Sequence, residues 1–104
     1  TMIRHCVMLN LHPIARAPYE VVLGKLAALV EKLDGCENFA AGPNRDFEGK
    51  SPDYPYGFMF DARDADALAA YAEHPEHQAL GARLVTMCNG GAKGILVFDL
   101  EIAA

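Results

Sequence analysis

Residues 2–11 (MIRHCVMLNL) carry apolar side chains on both alternating sets. Ile3, His5, Val7 and Leu9 form one set; Met2, Arg4, Cys6 and Met8 form the other. Successive strand residues point to opposite faces, so the pattern predicts a strand covered on both sides. His12-Pro13 ends it, since proline has no N–H to give a ladder. From Pro18 to about Leu33 the apolar positions are Val22, Leu26, Leu29, Val30 and Leu33, the spacing of a helix with one buried stripe. Pro18 suits the first turn, Glu20 and Lys32 suit the two ends of the helix dipole, and Gly35 is the stop.

Cys36 to Ala41 reads as a second, shorter strand. The one composition shift follows: residues 42–55, GPNRDFEGKSPDYP, predict a loop with a turn at Glu48-Gly49. Tyr56 to Ala62 alternates again, with Tyr56, Phe58 and Phe60 on one face. Asp64 is placed to cap a helix over residues 65–73, with Asp61 and Asp66 read as further acidic residues of a solvated helix start. His74-Pro75 interrupts that helix, because a residue before proline avoids the α region. A further helical segment spans 76–88, Asn89-Gly90-Gly91 ends it, and Gly94 to Ile102 forms the last strand.

The order β-α-β-β-α(α)-β predicts an α+β, ferredoxin-like fold over residues 1–104, read as one domain: a four-stranded antiparallel sheet with helices on one face. The other face then needs cover. The first strand is apolar on both sides, and so is the last, with Ile95 and Val97 on one and Leu96, Phe98 and Leu100 on the other. A homodimer packed through the open sheet face is therefore expected.

Composition narrows the partners. The 104 residues are 52% hydrophobic and 22% charged with a net charge of −5, which excludes disorder and argues against nucleic-acid or anionic-membrane binding. No stretch approaches the ~20 apolar residues of a membrane helix. No secretory leader is read at the start, where Arg4 and His5 interrupt the apolar run, and Thr1 is read as an addition ahead of a natural Met2. Cys6, Cys36 and Cys88 are too few and too widely spaced for a disulfide framework, and free thiols suit a reducing, cytoplasmic compartment. Neither a GxGxxG nor a P-loop occurs, so no nucleotide cofactor is expected. His74 and His77 are flanked by Glu73 and Glu76, but Pro75 breaks the helix that would align them, and no metal is expected.

Four stretches, IRHCVMLNL, FMFDARDADALAAY, HPEH and ILVFDLE, resemble the stress-responsive A/B barrel domain (Dabb) family across Ile3 to Glu101. The resemblance implies a dimeric α+β barrel. One group within that family, the plant polyketide cyclases of the olivetolic acid type, closes a linear tetraketide. By that resemblance His5, Tyr71 and His77 match its catalytic positions, while a third histidine of the group falls at Tyr56 here.

Such residues have a coherent chemistry. A neutral imidazole is a general base near pH 7, and His77 just past Pro75 lies near a helix N-terminus, which disfavours imidazolium. Tyr71 and Tyr56 carry hydroxyls able to stabilise a developing enolate. Base plus donors is the minimum for abstracting a proton α to a carbonyl, the first step of aldol-type closure and of isomerisation. Each residue also has an ordinary reading: His5 satisfied within a half-buried strand, His77 at the surface or capping, Tyr71 and Tyr56 as packing aromatics, His74 as a turn residue. Cys6 points to the face opposite His5 and is not its nucleophile. Three functions stay open: a cofactor-free lyase, cyclase or isomerase acting on a small carbonyl or phenolic compound, a non-catalytic dimeric module that binds a small apolar or phenolic ligand or serves stress tolerance, and a cofactor-independent oxygenase.

Overall fold

The computed structural model describes residues 1–103. The alternating apolar runs form four strands: β1 (Met2–Leu9), β2 (Cys36–Pro43), β3 (Tyr56–Ala62) and β4 (Ile95–Ile102). They make one antiparallel sheet in the order β2-β3-β1-β4. Three helices lie on one face: α1 (Arg16–Lys32), α2 (Ala65–Glu73) and α3 (Pro75–Met87). The ferredoxin-like order expected from the sequence is the order found.

Local chemistry sets the boundaries. The Pro13–Ala15 segment makes a 3₁₀ turn that feeds α1, so that helix begins slightly earlier than Pro18. After α1, Gly35 adopts φ +82, a conformation that L side chains rarely reach. Asp64 caps α2 by accepting from the Ala67 N–H at 2.8 Å. His74 is the shared residue between α2 and α3, held extended (φ −62, ψ 130), and its Nδ1 accepts from the Glu76 N–H at 3.1 Å. The turn role read for His74 is therefore its role, and Pro75 begins α3 where a missing N–H costs nothing.

The core lies between helices and sheet. Tyr19, Val22, Leu26, Leu29 and Val30 of α1, Tyr71 of α2, and Leu80 and Leu84 of α3 pack on Val7, Leu9, Phe58 and Phe60. Full burial of each aliphatic side chain contributes about 1.5–3 kcal/mol. Helix α1 packs against β2 and α3, and α2 against β1 and β3, whereas β4 contacts mainly β1 and the 3₁₀ turn before it. Val97 consequently stays 48% exposed although its alternation places it on the helix side. On the opposite face Met59, Leu96, Phe98 and Leu100 are all exposed, forming the uncovered apolar surface that the strand pattern implied.

The loop between β2 and β3 is cross-braced. Asp46 Oδ1 accepts from the backbone N–H groups of Lys50 and Ser51 and from the Ser51 hydroxyl, and Asn44 donates to Ser51 Oγ and to the Tyr54 carbonyl. The Gly49 N–H closes a turn on the Asp46 carbonyl at 3.0 Å, with Gly49 at φ +67 where the turn was expected.

One reading needs correction. Asp61 does not belong to a solvated helix start. It is 4% exposed and lies on the open face of the sheet, where β1 pairs Arg4 directly opposite it. Arg4 Nε donates to Oδ1 at 2.8 Å, and Asn38 Nδ2 donates to Oδ2 at 3.1 Å from a β2 bulge where Asn38 takes φ +60. Strand alternation, not proximity in sequence to Asp64, decides which way Asp61 points. The Arg4 hydrogen bond outweighs burial and holds the Asp61 carboxyl below its ordinary value. A depressed carboxyl contributes stability above its unfolded value and loses it as pH falls through the folded one. Asp61→Asn should therefore lower stability by about 1–2 kcal/mol at pH 7. Urea melts at pH 7 and pH 3 check this: the gap between variant and parent should shrink at the lower pH.

Candidate functional site

Three of the four residues singled out in the sequence meet at one place. His5 is on the helix-facing side of β1, directly opposite Phe60 of β3 and Asp99 of β4. Its ring lies 5.1 Å from Phe60 and 5.7 Å from Tyr71, measured between centroids. Tyr71 in turn sits 4.6 Å from Phe60 and 4.3 Å from His77. The cluster thus draws on β1, β3, α2 and α3, and the break at His74-Pro75 is what lets His77 turn back over the end of α2.

Both imidazoles are anchored through the same nitrogen. His5 Nδ1 lies 2.6 Å from Asp99 Oδ1, and a carboxylate there can only accept. His77 Nδ1 lies 2.9 Å from the Ala72 carbonyl oxygen, also an acceptor. Each neutral ring therefore carries its hydrogen on Nδ1 and presents a bare Nε2. His5 retains 13% side-chain exposure and Asp99 retains 43%, so this edge of the cluster opens toward solvent along β4.

Electrostatics separates the roles. Burial pushes the His77 pKa below the usual histidine value; the His5 and His74 charges act the same way, and the Ala72 hydrogen bond opposes them. The neutral state expected for His77 is thus present, but desolvation is its main cause rather than the N-terminus of α3. Burial moves the Tyr71 hydroxyl upward, far from ionisation near neutrality, so it can act only as a protonated donor or as an acceptor. Tyr71 is 1% exposed, which also makes it a core residue.

Tyr56 does not join this cluster. It lies four positions before Phe60 on the same strand, about 13 Å away, opposite Leu9. Its hydroxyl accepts from Arg16 Nη1 at 2.7 Å and its ring faces Tyr19. Cys6 sits on the opposite face from His5, as strand alternation requires, and burial raises its thiol above the ordinary value. Asp99 was missed by sequence reasoning. The available signal was a carboxylate inside the apolar run ILVFDLEI, but its meaning depends on the β1–β4 register.

The depressed His77 value has a measurable consequence. Its unfolded value is the higher one, so the stability it contributes is full above about pH 6.5 and is lost as pH falls from there through the folded value. Imidazole NMR should show His77 titrating below an ordinary histidine, with hydrogen on Nδ1 in the neutral form. His77→Gln should flatten part of the stability loss on the acid side of neutrality.

Comparison with known proteins places the fold. A dimeric ferredoxin-like protein of unknown function from Jannaschia sp. CCS1 is 47% identical, with a TM-score of 0.93 over 98% of this chain and 100% of that one. A second dimeric ferredoxin-like protein of unknown function, from Thermobifida fusca YX, is 20% identical with a TM-score of 0.76 over 97% and 91% of the two chains. A mutant form of SnoaB, a cofactor-independent oxygenase from Streptomyces nogalater, is 16% identical with a TM-score of 0.78 over 99% and 94%. The last two likenesses carry the fold alone. No functionally curated protein matches the chain. With the family model of the stress-responsive A/B barrel domain (Dabb) matching residues 3–102, the chain belongs to that family.

Proposed function

We propose that the chain is a cofactor-free proton-transfer enzyme acting on a small carbonyl or phenolic compound, with His77 as base. The observation that carries this reading is the pair of imidazoles, each anchored through Nδ1 and each packed on Tyr71, one of them held neutral by burial. His77 Nε2 takes a proton from the carbon next to the carbonyl, and the electron pair moves onto the carbonyl oxygen. The Tyr71 hydroxyl stabilises that developing oxyanion by donating a hydrogen bond. His5, steadied by Asp99, serves as the second proton carrier, as an imidazole backed by a carboxylate does elsewhere. This is the chemistry that olivetolic-type cyclases of the family would require of the matching positions. Tyr56, in place of that group's third histidine, stands apart from the step.

The near-complete burial of Tyr71 favours a second reading, a non-catalytic dimeric module in which the His5–Tyr71–His77 cluster is core packing. Deuterium exchange into phenylacetone decides between them. The enzyme reading expects exchange faster than the same concentration of free imidazole produces, and a loss of about 100-fold in His77→Gln. Exchange no faster than free imidazole would leave the non-catalytic module.

The assembly proposed is a homodimer through the open sheet face. Leu96, Phe98 and Leu100 project there from an edge strand, and the 47%-identical Jannaschia protein is described as dimeric. Three buried free thiols fit a reducing, cytoplasmic compartment. Sedimentation at micromolar concentration should give twice the chain mass, and Phe98→Glu should give a folded monomer with an unchanged far-UV spectrum.

A further inference from the structure

Tyr56 belongs to a separate cleft. The first turns of α1 and the adjoining ends of β2 and β3 enclose about 250 Å³, lined by Arg16, Tyr19, Glu20, Leu23, Tyr56 and the Ala41–Pro43 segment. That volume lies just under the range of about 300–1,000 Å³ typical of drug-sized ligands, and so fits a single ring. Leu23, Ala41, Pro43 and the Tyr56 ring supply apolar walls.

Arg16 and Tyr56 bring donor groups to this cleft. Tyr56 already accepts from Arg16 Nη1, so its own hydroxyl hydrogen is free to donate. Arg16 also donates from Nε to Glu20 at 3.0 Å and lies over the Tyr56 ring at 4.9 Å, which leaves Nη2 unspent. The floor of the cleft is Tyr19. Its ring stands 5.8 Å from Tyr56, it is 1% exposed, and its hydroxyl is the buried side-chain oxygen without a hydrogen-bond partner among the described residues.

We propose that this cleft is a second small-molecule site, distinct from the His5–His77 cluster, that binds a small aromatic carboxylate. The ring packs between Leu23, Pro43 and Tyr56. The carboxylate accepts from Arg16 and the Tyr56 hydroxyl. The guanidinium fork matches a carboxylate better than a neutral carbonyl. Glu20 is the competing anion, paired with Arg16 in a solvent-exposed contact of little worth.

Amide NMR with benzoate as probe, benzamide as the uncharged counterpart and benzyl alcohol as the ring alone tests this. Expected are saturable benzoate shifts confined to residues 16–23, 41–43 and 56, and binding about tenfold weaker for Tyr56→Phe and for Arg16→Gln. Glu20→Gln should bind benzoate more tightly. Benzamide binding as well as benzoate would overturn the carboxylate assignment. Shifts that do not saturate, or that follow benzyl alcohol equally, would overturn the site.

Discussion

The pairing of β1 with β3 on one side and β4 on the other fixes what each face of this protein can do. A β1 shifted by one residue would turn every side chain to the opposite face. His5, Val7 and Leu9 would then face the open side, and Arg4, Cys6 and Met8 would point into the helices. The register found sets His5 between Phe60 and Asp99 and sets Arg4 against Asp61. Both contacts are long-range in sequence, and neither forms unless the whole sheet does.

The second constraint is the break between α2 and α3. A continuous helix through residues 65–87 would carry His77 a turn and a half beyond Tyr71 along one axis. His74 instead leaves the helical region and caps the next helix, and His77 bonds back to the Ala72 carbonyl beside Tyr71. A turn built from a histidine and a proline thus positions the neighbouring histidine. Burial of that packed arrangement is also what depresses His77, so its protonation follows from the packing.

The two faces solve different problems. The helix side holds the core, and several of its polar atoms are paired: His5 with Asp99, His77 with Ala72, Tyr56 with Arg16. The open side carries exposed Leu96, Phe98 and Leu100 together with a half-buried ion pair, Arg4–Asp61, braced by Asn38. An ion pair amid apolar surface adds little net stability, but losing either partner strands a charge.

Periodicity by itself determined the elements, their order and the existence of an uncovered sheet face, because burial on one or both sides writes a two-residue or 3.6-residue period directly into a chain. Capping chemistry at Asp64 and the helix break at His74-Pro75 were legible for the same reason: they act over two or three residues. Family resemblance pointed to His5, Tyr71 and His77, and the structure brings those three together. Which carboxylate meets His5, that Arg4 meets Asp61, and that Tyr56 lies at the far end of β3 beside Arg16 were decided only by the tertiary structure. Each depends on strand register or on an α1–sheet contact between residues far apart in the chain, and a local pattern carries no record of that distance.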